Sequence, residues 1–247
     1  MRTVRTVCGL LALAVAFALG VLAGRGSVTA TDAPTDTPAL SAETGSPQDA
    51  VLLAVPPLGQ HPDYPTGCEV VCAAMALQFA GKGATVDELI DSHLPTSRDW
   101  YWYGGRFYGP DPNEVFCGDP RSEQSYGCVA PLIEKMLLSY LGDNRQVINA
   151  TGLSLSTLCT RYIDIGVPVL VWATVGMNPL TDGRSWILPD GSDFTWPTGE
   201  HCLLLIGYDG ENYYFNDPTD GKRVAYVRIT AEQRYEEMGR QALAVMS

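Results

Sequence analysis

The amino-acid sequence predicts an α+β fold, in which N-terminal helices pack on an antiparallel sheet. Helical patterns dominate the first part of the chain, and apolar strands dominate the second part. The turn Asp209-Gly210 joins two of these strands as a hairpin, which favours antiparallel pairing. Residues 51–247 contain neither an internal repeat nor a second linker, so we expect one domain there.

Local signals predict four helices. The segment 68–80 is rich in helix formers and ends at a glycine. The next helix begins after Thr85, which is the predicted N-cap, and Glu88 completes a capping box. Two further helices are predicted at residues 130–141 and 154–165, each followed by a glycine that ends it.

Apolar runs bounded by turn residues predict the strands. They lie at residues 51–55, 167–173, 202–208, 212–216 and 224–229. Two long segments lack a regular period: residues 98–126 are dense in aromatic side chains, and residues 177–197 are a polar excursion rich in Gly and Pro. The many aromatic rings predict that the first segment is ordered, either as a wall of a substrate cleft or as a cover over the core edge.

The N-terminus has the pattern of a targeting segment. Arg2 and Arg5 precede an uncharged apolar stretch, which predicts a signal peptide or an N-terminal membrane anchor over residues 1–30. Residues 31–50 are rich in Thr, Ala, Pro, Asp and Ser and predict a disordered linker. We therefore expect an extracytoplasmic domain at residues 51–247, either secreted or attached to the membrane by the N-terminal segment.

The charge balance is strongly acidic. The whole chain has 16 basic and 28 acidic side chains and a formal net charge of −12. Three of the arginines and none of the acids lie in the first 30 residues, so 13 basic side chains face 28 acidic ones in the rest. Such a surface is a poor partner for nucleic acid. There is no Cys-x-x-Cys spacing, no His-x-x-x-His spacing and no glycine-rich phosphate loop, so we predict no metal and no other cofactor.

Cys68 is the strongest candidate for a chemical role. A turn that contains Pro65 and Gly67 delivers it to the first turn of a predicted helix. The unpaired N–H groups and the positive end of the helix dipole at that position are expected to lower the pKa of the thiol. Cys72 lies one helical turn deeper, so we predict that it is structural and packed against the core.

His201 is the preferred partner base among three histidines. His61 lies in a proline-rich loop and His93 lies in a polar run at a helix end, whereas His201 opens an apolar strand. The following strand ends at Asn216 and Asp217. We predict that Asp217 orients the imidazole, with Asn216 as the alternative, because adjacent strand residues point to opposite faces and only one can serve.

Three further side chains lie close to the candidate pair in the sequence. Gln60 precedes Cys68 across the proline-rich turn, and its amide is a candidate donor to an oxyanion beside the Cys68 backbone N–H. Glu69 and Glu200 are direct sequence neighbours of the pair. They are either groups that tune the pair or ordinary surface acids, and they are not counted among the predicted site residues.

The remaining cysteines bear on the expected compartment. Proteins in oxidising compartments tend to pair their cysteines. Cys117 and Cys128 flank the polar loop 118–127, and a disulfide that pins this loop is one hypothesis.

Short motifs distributed over residues 51–247 carry a family resemblance. They are LGQ at 58–60, PTGCE at 65–69, GDP at 118–120, YGC at 126–128, GVPV at 166–169, EHC at 200–202 and NDP at 216–218. Together they resemble the C39-like cysteine peptidases, bacterial proteins related to the bacteriocin-processing double-glycine peptidases. The resemblance implies a papain-like fold and a triad that falls on Cys68, His201 and Asp217, with Gln60 at the oxyanion position. The processing peptidases are fused to a transporter, whereas this chain resembles a free-standing form.

The residues and the resemblance lead us to expect a cysteine hydrolase that cuts a peptide or cell-wall amide bond through a thioester intermediate. Two alternatives stay open at this point. The same triad supports amidase or transpeptidase chemistry, since pocket geometry chooses between water and an amine as the acceptor. The other alternative is a non-catalytic surface binding module that retains the fold, and the presence of every predicted triad residue argues against it.

Overall fold

The computed structural model describes residues 50–142 and 146–247. The predicted signal peptide or anchor at residues 1–30 lies outside the described residues, as does nearly all of the predicted linker at 31–50. Within the described part of the chain, no helix has the length and apolar character that crossing a membrane requires. Helices and antiparallel strands are both present, which confirms the predicted α+β class.

The helices of the described residues agree with the sequence prediction at four of five places. They are α1 (Cys68–Phe79), α2 (Val86–His93), α3 (Ala130–Leu141), α4 (Leu155–Arg161) and α5 (Arg228–Glu237). The predicted cap of α2 is formed, because the Thr85 hydroxyl accepts a hydrogen bond from the Glu88 N–H at 3.2 Å. A short 3-10 turn extends α4 to Gly166, which takes a positive φ of 84°.

Most of the strands build one main sheet. The strands are β1 (Val51–Leu52), β2 (Thr96–Ser97), β3 (Tyr101–Tyr103), β4 (Arg106–Tyr108), β5 (Phe116–Cys117), β6 (Val147–Asn149), β7 (Val169–Thr174), β8 (Thr181–Ile187), β9 (Asp193–Thr198), β10 (Glu200–Tyr208), β11 (Asn212–Asp217), β12 (Lys222–Val227) and β13 (Ala242–Val245). The main sheet has the order β12-β11-β10-β7-β13-β6, and β1 pairs with the end of β10. All of its strand pairs are antiparallel.

Helices cover both faces of the main sheet. On one face, Leu204 and Ile206 of β10 belong to the core that contains α1, α2 and α3. On the other face, Leu203 and Leu205 belong to the core that contains α4 and α5. Every residue of β10 is therefore buried, and the first residues of this strand are held firmly against α1.

The two segments predicted to be irregular form a second sheet, which corrects the prediction for residues 177–197. That excursion is the β8–β9 hairpin, and β8 pairs with β4 from the aromatic segment at Tyr108 and Ile187. The buried Trp186 lies at the centre of the aromatic cluster, and its indole N–H donates to the carbonyl of Pro110 at 2.9 Å. Polar strands of this kind have little local signal, because their order comes from aromatic packing with residues far away in the chain.

Near the C-terminus the structure differs from the predicted strand at 224–229. The strand β12 ends at Val227, and α5 begins at Arg228. The side chains of Val227 and Ile229 are 56% and 75% exposed, so the apolar residues at these positions do not belong to a buried strand. The short strands β6 and β13 were also not predicted, because three or four residues carry too little periodicity to identify a strand.

Candidate active site

The turn before α1 places Cys68 at the first position of the helix. The Gly67 N–H donates to the Tyr64 carbonyl at 2.9 Å. A Cβ atom at Gly67 would lie 3.0 Å from the Tyr64 Cβ and 3.1 Å from the Pro120 Cβ, so a larger residue would require these neighbours to shift by a few tenths of an ångström. Cys68 is 5% exposed and lines a small cavity.

His201 and Asp217 form a hydrogen-bonded pair beside this cavity. His201 Nε2 lies 2.8 Å from Asp217 Oδ1. An ionised carboxylate can only accept, so Nε2 carries the proton and Nδ1 keeps its lone pair when the ring is neutral. None of the hydrogen bonds between described residues engages Nδ1. The Cys202 N–H points at Cys68 Sγ at 3.4 Å, which fixes the start of β10 against the N-terminus of α1.

The structure distinguishes Asp217 from the alternative Asn216. The Asn216 side chain is fully buried on the other face of β11, and its Nδ2 donates to the Val55 carbonyl at 3.0 Å. Burial acts to raise the pKa of Asp217, but the hydrogen bond and charge of His201 outweigh it and the pKa lies below its ordinary value. The Thr219 N–H also donates to Asp217 Oδ1 at 2.9 Å. Asp217 is therefore the residue that contacts the imidazole.

Gln60 lies in the wall of the same cavity. Its Nε2 donates to the Pro65 carbonyl at 2.7 Å, and its Oε1 is buried without a hydrogen-bond partner. This bond uses one of the two amide hydrogens, so the second remains available to an acceptor in the cavity. Three of the four predicted site residues, Cys68, His201 and Gln60, thus line one cavity of about 220 Å³, and the fourth, Asp217, contacts His201 behind it.

The aromatic segment contributes to this cavity through Tyr126. The Tyr126 ring also packs on Trp100, Trp186 and Trp196, so the segment both lines the cavity and covers the core edge. A larger cavity of about 610 Å³ lies between this segment and β8. None of the predicted site residues lines that larger cavity.

Glu69 and Glu200 are buried, so the interpretation of them as surface acids is wrong. Glu69 is 0% exposed and Glu200 is 9% exposed. Glu69 Oε1 accepts from the Cys128 N–H at 2.6 Å, and Glu69 Oε2 lies 3.3 Å from the Cys68 sulfur. The sequence did contain a signal for this burial. Glu69 lies within an apolar helical run and Glu200 lies at the start of an apolar strand, and residues at such positions are expected to be buried.

The pKa of Cys68 is raised, whereas the sequence predicts that it is lowered. Burial raises it well above the ordinary thiol value, and the carboxyl groups of Glu69 and Glu200 raise it further. A helix dipole supplies about 0.3–1 kcal/mol. Withdrawing a charge from water costs several kcal/mol, so burial prevails over the helix N-terminus. The resting residue is a neutral thiol rather than the expected thiolate.

The hypothesised disulfide between Cys117 and Cys128 is not formed. Both are free thiols, as are the other cysteines in the described part of the chain. Cys117 packs with the aromatic cluster around Trp186, whereas Cys128 belongs to the core beneath the main sheet. The two side chains pack in different cores. Cys117 pairs with Gly127, and Cys128 is the next residue after Gly127, so its side chain points to the opposite side of this extended segment. Cys72 is buried as predicted, and its thiol donates to the Cys202 carbonyl.

One group of donor atoms is compact enough to hold a metal ion. The sulfur of Cys68 and one carboxylate oxygen each of Glu69 and Glu200 lie within 4.8 Å of one another. The sulfur of Cys68 is one of these donor atoms, so any ion bound there would occupy the predicted nucleophile.

The helices and the antiparallel sheet form the papain-like α+β fold that the family resemblance implies. The chain belongs to the Peptidase_C39 like family, which it matches over residues 52–243. It is 28% identical to the uncharacterized protein YvpB of Bacillus subtilis (strain 168) over 265 residues, covering 99% of each chain. It is also similar to the crystal structure of a Bacillus anthracis protein that is assigned by inference as a C39-like peptidase. That match has a TM-score of 0.70 and 29% identity, and it covers 81% of this chain and 98% of the other.

The burial of Glu200 leads to a prediction about stability. Burial raises its pKa well above 4.5, and the neighbouring Glu69 raises it further, so folding favours the protonated form. The ionised carboxyl therefore destabilises the fold above the unfolded pKa. Glu200→Gln is expected to increase the free energy of unfolding at pH 8 by about 1 kcal/mol or more, since one pKa unit corresponds to about 1.4 kcal/mol. Near pH 3.5 both states are protonated and the gain should vanish.

Urea unfolding at both pH values measures this effect. The exposed Glu123→Gln is the matched control, because it removes the same charge from the surface and should leave the free energy of unfolding unchanged. An equal gain for Glu200→Gln at both pH values would contradict the prediction.

Proposed function

We propose that this chain is an extracytoplasmic cysteine peptidase that cleaves a peptide amide bond, including those of cell-wall peptides. The observation that carries the proposal is the 2.8 Å hydrogen bond from His201 to Asp217 in the cavity that Cys68 also lines. Membership of a peptidase family supports the reaction class. The apolar stretch at residues 7–24 supports export, with the chain either released or held by that segment.

The mechanism follows from the roles that the contacts allow. His201 Nδ1 takes the thiol proton as the Cys68 sulfur attacks the substrate carbonyl carbon. The second amide hydrogen of Gln60 and the Cys68 backbone N–H donate to the oxyanion that forms. The imidazolium then gives its proton to the leaving amine, and a thioester remains. Water, activated by His201, hydrolyses the thioester and restores the thiol, while Asp217 holds the ring throughout.

The raised pKa of the Cys68 thiol gives His201 its role in this mechanism. Because burial and the neighbouring carboxyl groups disfavour the thiolate, Cys68 depends on the imidazole to accept its proton. The same observation favours the second candidate, a binding module that retains the fold without turnover. Amidase or transpeptidase chemistry on the same residues would differ from the proposed function only in the acceptor of the acyl group.

Alkylation of Cys68 tests the proposal. The purified full chain is treated with iodoacetamide, and labelled cysteines are mapped by mass spectrometry. We expect Cys68 to be labelled faster than the more deeply buried cysteines, and His201→Ala to slow its labelling near neutral pH by about tenfold or more. His93→Ala is the matched control, because His93 does not line the cavity. Its Nδ1 lies 2.9 Å from the Ser139 hydroxyl oxygen. If Cys68 is inert, or if both variants label like the parent, the binding module takes the place of the peptidase.

A further inference from the structure

Glu200 is a buried acid that lacks a partner in the cavity wall. Its Oε1 is buried without a hydrogen-bond partner, and the side chain lines the cavity beside Cys68 and His201. Among the described residues, neither Glu200 nor Glu69 takes part in an ion pair. Burying a carboxyl group without a hydrogen-bond partner is costly, and a ligand that donates a hydrogen bond to Oε1 would reduce this cost.

Glu69 lies beside Glu200 in this part of the site. The carboxyl groups of Glu69 and Glu200 converge on Gly127, where an added Cβ atom would lie 2.6 Å from Glu69 Oε1 and 3.2 Å from Glu200 Oε2. Only a glycine permits this approach of the backbone to both acids. Glu69 already binds the Cys128 N–H, whereas Glu200 keeps a free oxygen.

The remaining wall of the cavity carries no Lys or Arg that could neutralise Glu200. Its other members, besides Cys68 and His201, are Gln60, His61, Pro65, Thr66, Tyr126, Val175 and Thr219. Among the described residues, Glu200 is therefore the one carboxylic acid in a wall whose other ionisable groups are a thiol, a phenol and two histidines. A ligand that donates hydrogen bonds matches the unpaired Oε1 of Glu200, and a ligand with a positive charge matches its carboxyl group.

We propose that Glu200, backed by Glu69, binds a primary ammonium group that the substrate carries next to its scissile bond. The group is either the amino terminus of a peptide or the side-chain amine of a lysine-type residue. Its N–H donors would satisfy the free Oε1, and its positive charge would favour the ionised form of the Glu200 carboxyl group. This inference names the substrate class of the proposed peptidase and rests on that function for its biological meaning.

Charge-selective thiol reagents test the inference without any substrate. Methanethiosulfonates with an aminoethyl, a methyl or a sulfonatoethyl group differ in charge. In each reaction the Cys68 sulfur forms a disulfide with the reagent, methanesulfinate leaves, and the thiol proton goes to the buffer. The ratio of the aminoethyl rate to the methyl rate, measured on the same protein at the same pH, cancels the thiolate fraction. EDTA is present throughout, so that a bound metal ion cannot contribute.

We expect this rate ratio at Cys68 to exceed that of a free cysteine peptide by about tenfold, and the sulfonatoethyl reagent to be disfavoured. Glu200→Gln should return the ratio to that of the free peptide, whereas the exposed Glu123→Gln should leave it unchanged. Mass spectrometry assigns the label to Cys68, and Glu200→Asp keeps the charge if the amide variant folds poorly. A ratio that Glu200→Gln does not alter would overturn the inference.

Matched peptides distinguish a side-chain amine from an amino terminus. They also distinguish failure of the ammonium-binding inference from failure of the proposed peptidase activity. One series compares lysine with acetyl-lysine next to the scissile bond, and another compares a free with an acetylated amino terminus. We expect kcat/KM to fall about tenfold or more when the relevant amine is acetylated, and this fall to disappear in Glu200→Gln. Cleavage without any such preference would overturn the inference and leave the peptidase. A charge-selective Cys68 with no cleavage of any peptide would support the binding inference and overturn the peptidase.

Discussion

Cys68→Ala is expected to lower kcat/KM for a cleaved peptide by at least about 10⁴, because removal of a nucleophile eliminates the covalent route and leaves only binding and oxyanion stabilisation. Cys68 supplies the one thiol that lines the cavity shared with His201 and Gln60. Initial rates of a fluorogenic peptide measure the loss. Urea unfolding checks that the variant is folded, because removal of the sulfur takes a partner from the Cys202 N–H and from Glu69 Oε2.

Cys72→Ala is the matched control for this prediction. Cys72 is fully buried on the same helix and does not line the cavity. Its sulfur lies 3.4 Å from the Cys202 carbonyl oxygen. Its replacement should retain activity within a few-fold. Equal losses in the two variants would mean that the helix, and not the Cys68 thiol, is what activity requires, and the nucleophile would then be sought elsewhere.

Asp217→Ala is expected to lower kcat/KM by about 10²–10⁴, because it removes the acceptor that holds His201 in the required tautomer. Asp217→Asn should lose less, since an amide oxygen can still accept from His201 Nε2. The same substitution should change the pH–rate profile, because the carboxylate no longer stabilises the imidazolium. Measured profiles of kcat/KM for both variants test this expectation.

The neighbouring Asn216 provides the control, and it should behave in the opposite way. Asn216→Ala leaves the buried Val55 carbonyl without its donor, so we expect a loss of about 1–3 kcal/mol in the free energy of unfolding. The activity of the folded Asn216→Ala protein should stay within a few-fold of the parent. A large kinetic loss at Asn216 with none at Asp217 would reverse the assignment of the two residues.

The electrostatics of the site set the conditions for any reaction. Two buried carboxyl groups lie beside a thiol whose pKa is raised, and the helix N-terminus is too weak to compensate. A cation delivered by the substrate would weaken this field at the moment of binding. The reactivity of the Cys68 thiol would then increase when such a substrate occupies the cavity.

Much of the site could be predicted because its signals are local. The turn before Cys68 and the helix after it occupy a short stretch of sequence, and the strand that His201 opens is strongly apolar. The order of cysteine, histidine and aspartate then limits the number of pairings to consider. The opposite orientations of Asn216 and Asp217 follow from strand geometry, but the choice between them needed the position of the imidazole.

The features that were missed depend on distant contacts. The second sheet joins residues 101–108 to residues 181–198, and neither segment has an internal pattern that identifies its partner. The helix α5 was missed because its buried side chains, such as Tyr235, are recognisable only where the helix packs on the sheet. The Cys117–Cys128 hypothesis failed because proximity in sequence does not decide which core each side chain enters.

By itself, the sequence determined the α+β class, four helices, most strands of the main sheet and the candidates Cys68, His201, Asp217 and Gln60. Local propensity, strand alternation and turn chemistry are encoded within a few residues, and for that reason they can be recognised without coordinates. Only the tertiary structure decided that Glu69 and Glu200 are buried against Cys68 and that the thiol is neutral at rest. Burial and the electric field of neighbouring groups arise from segments that converge in space, and no local pattern in the chain records them.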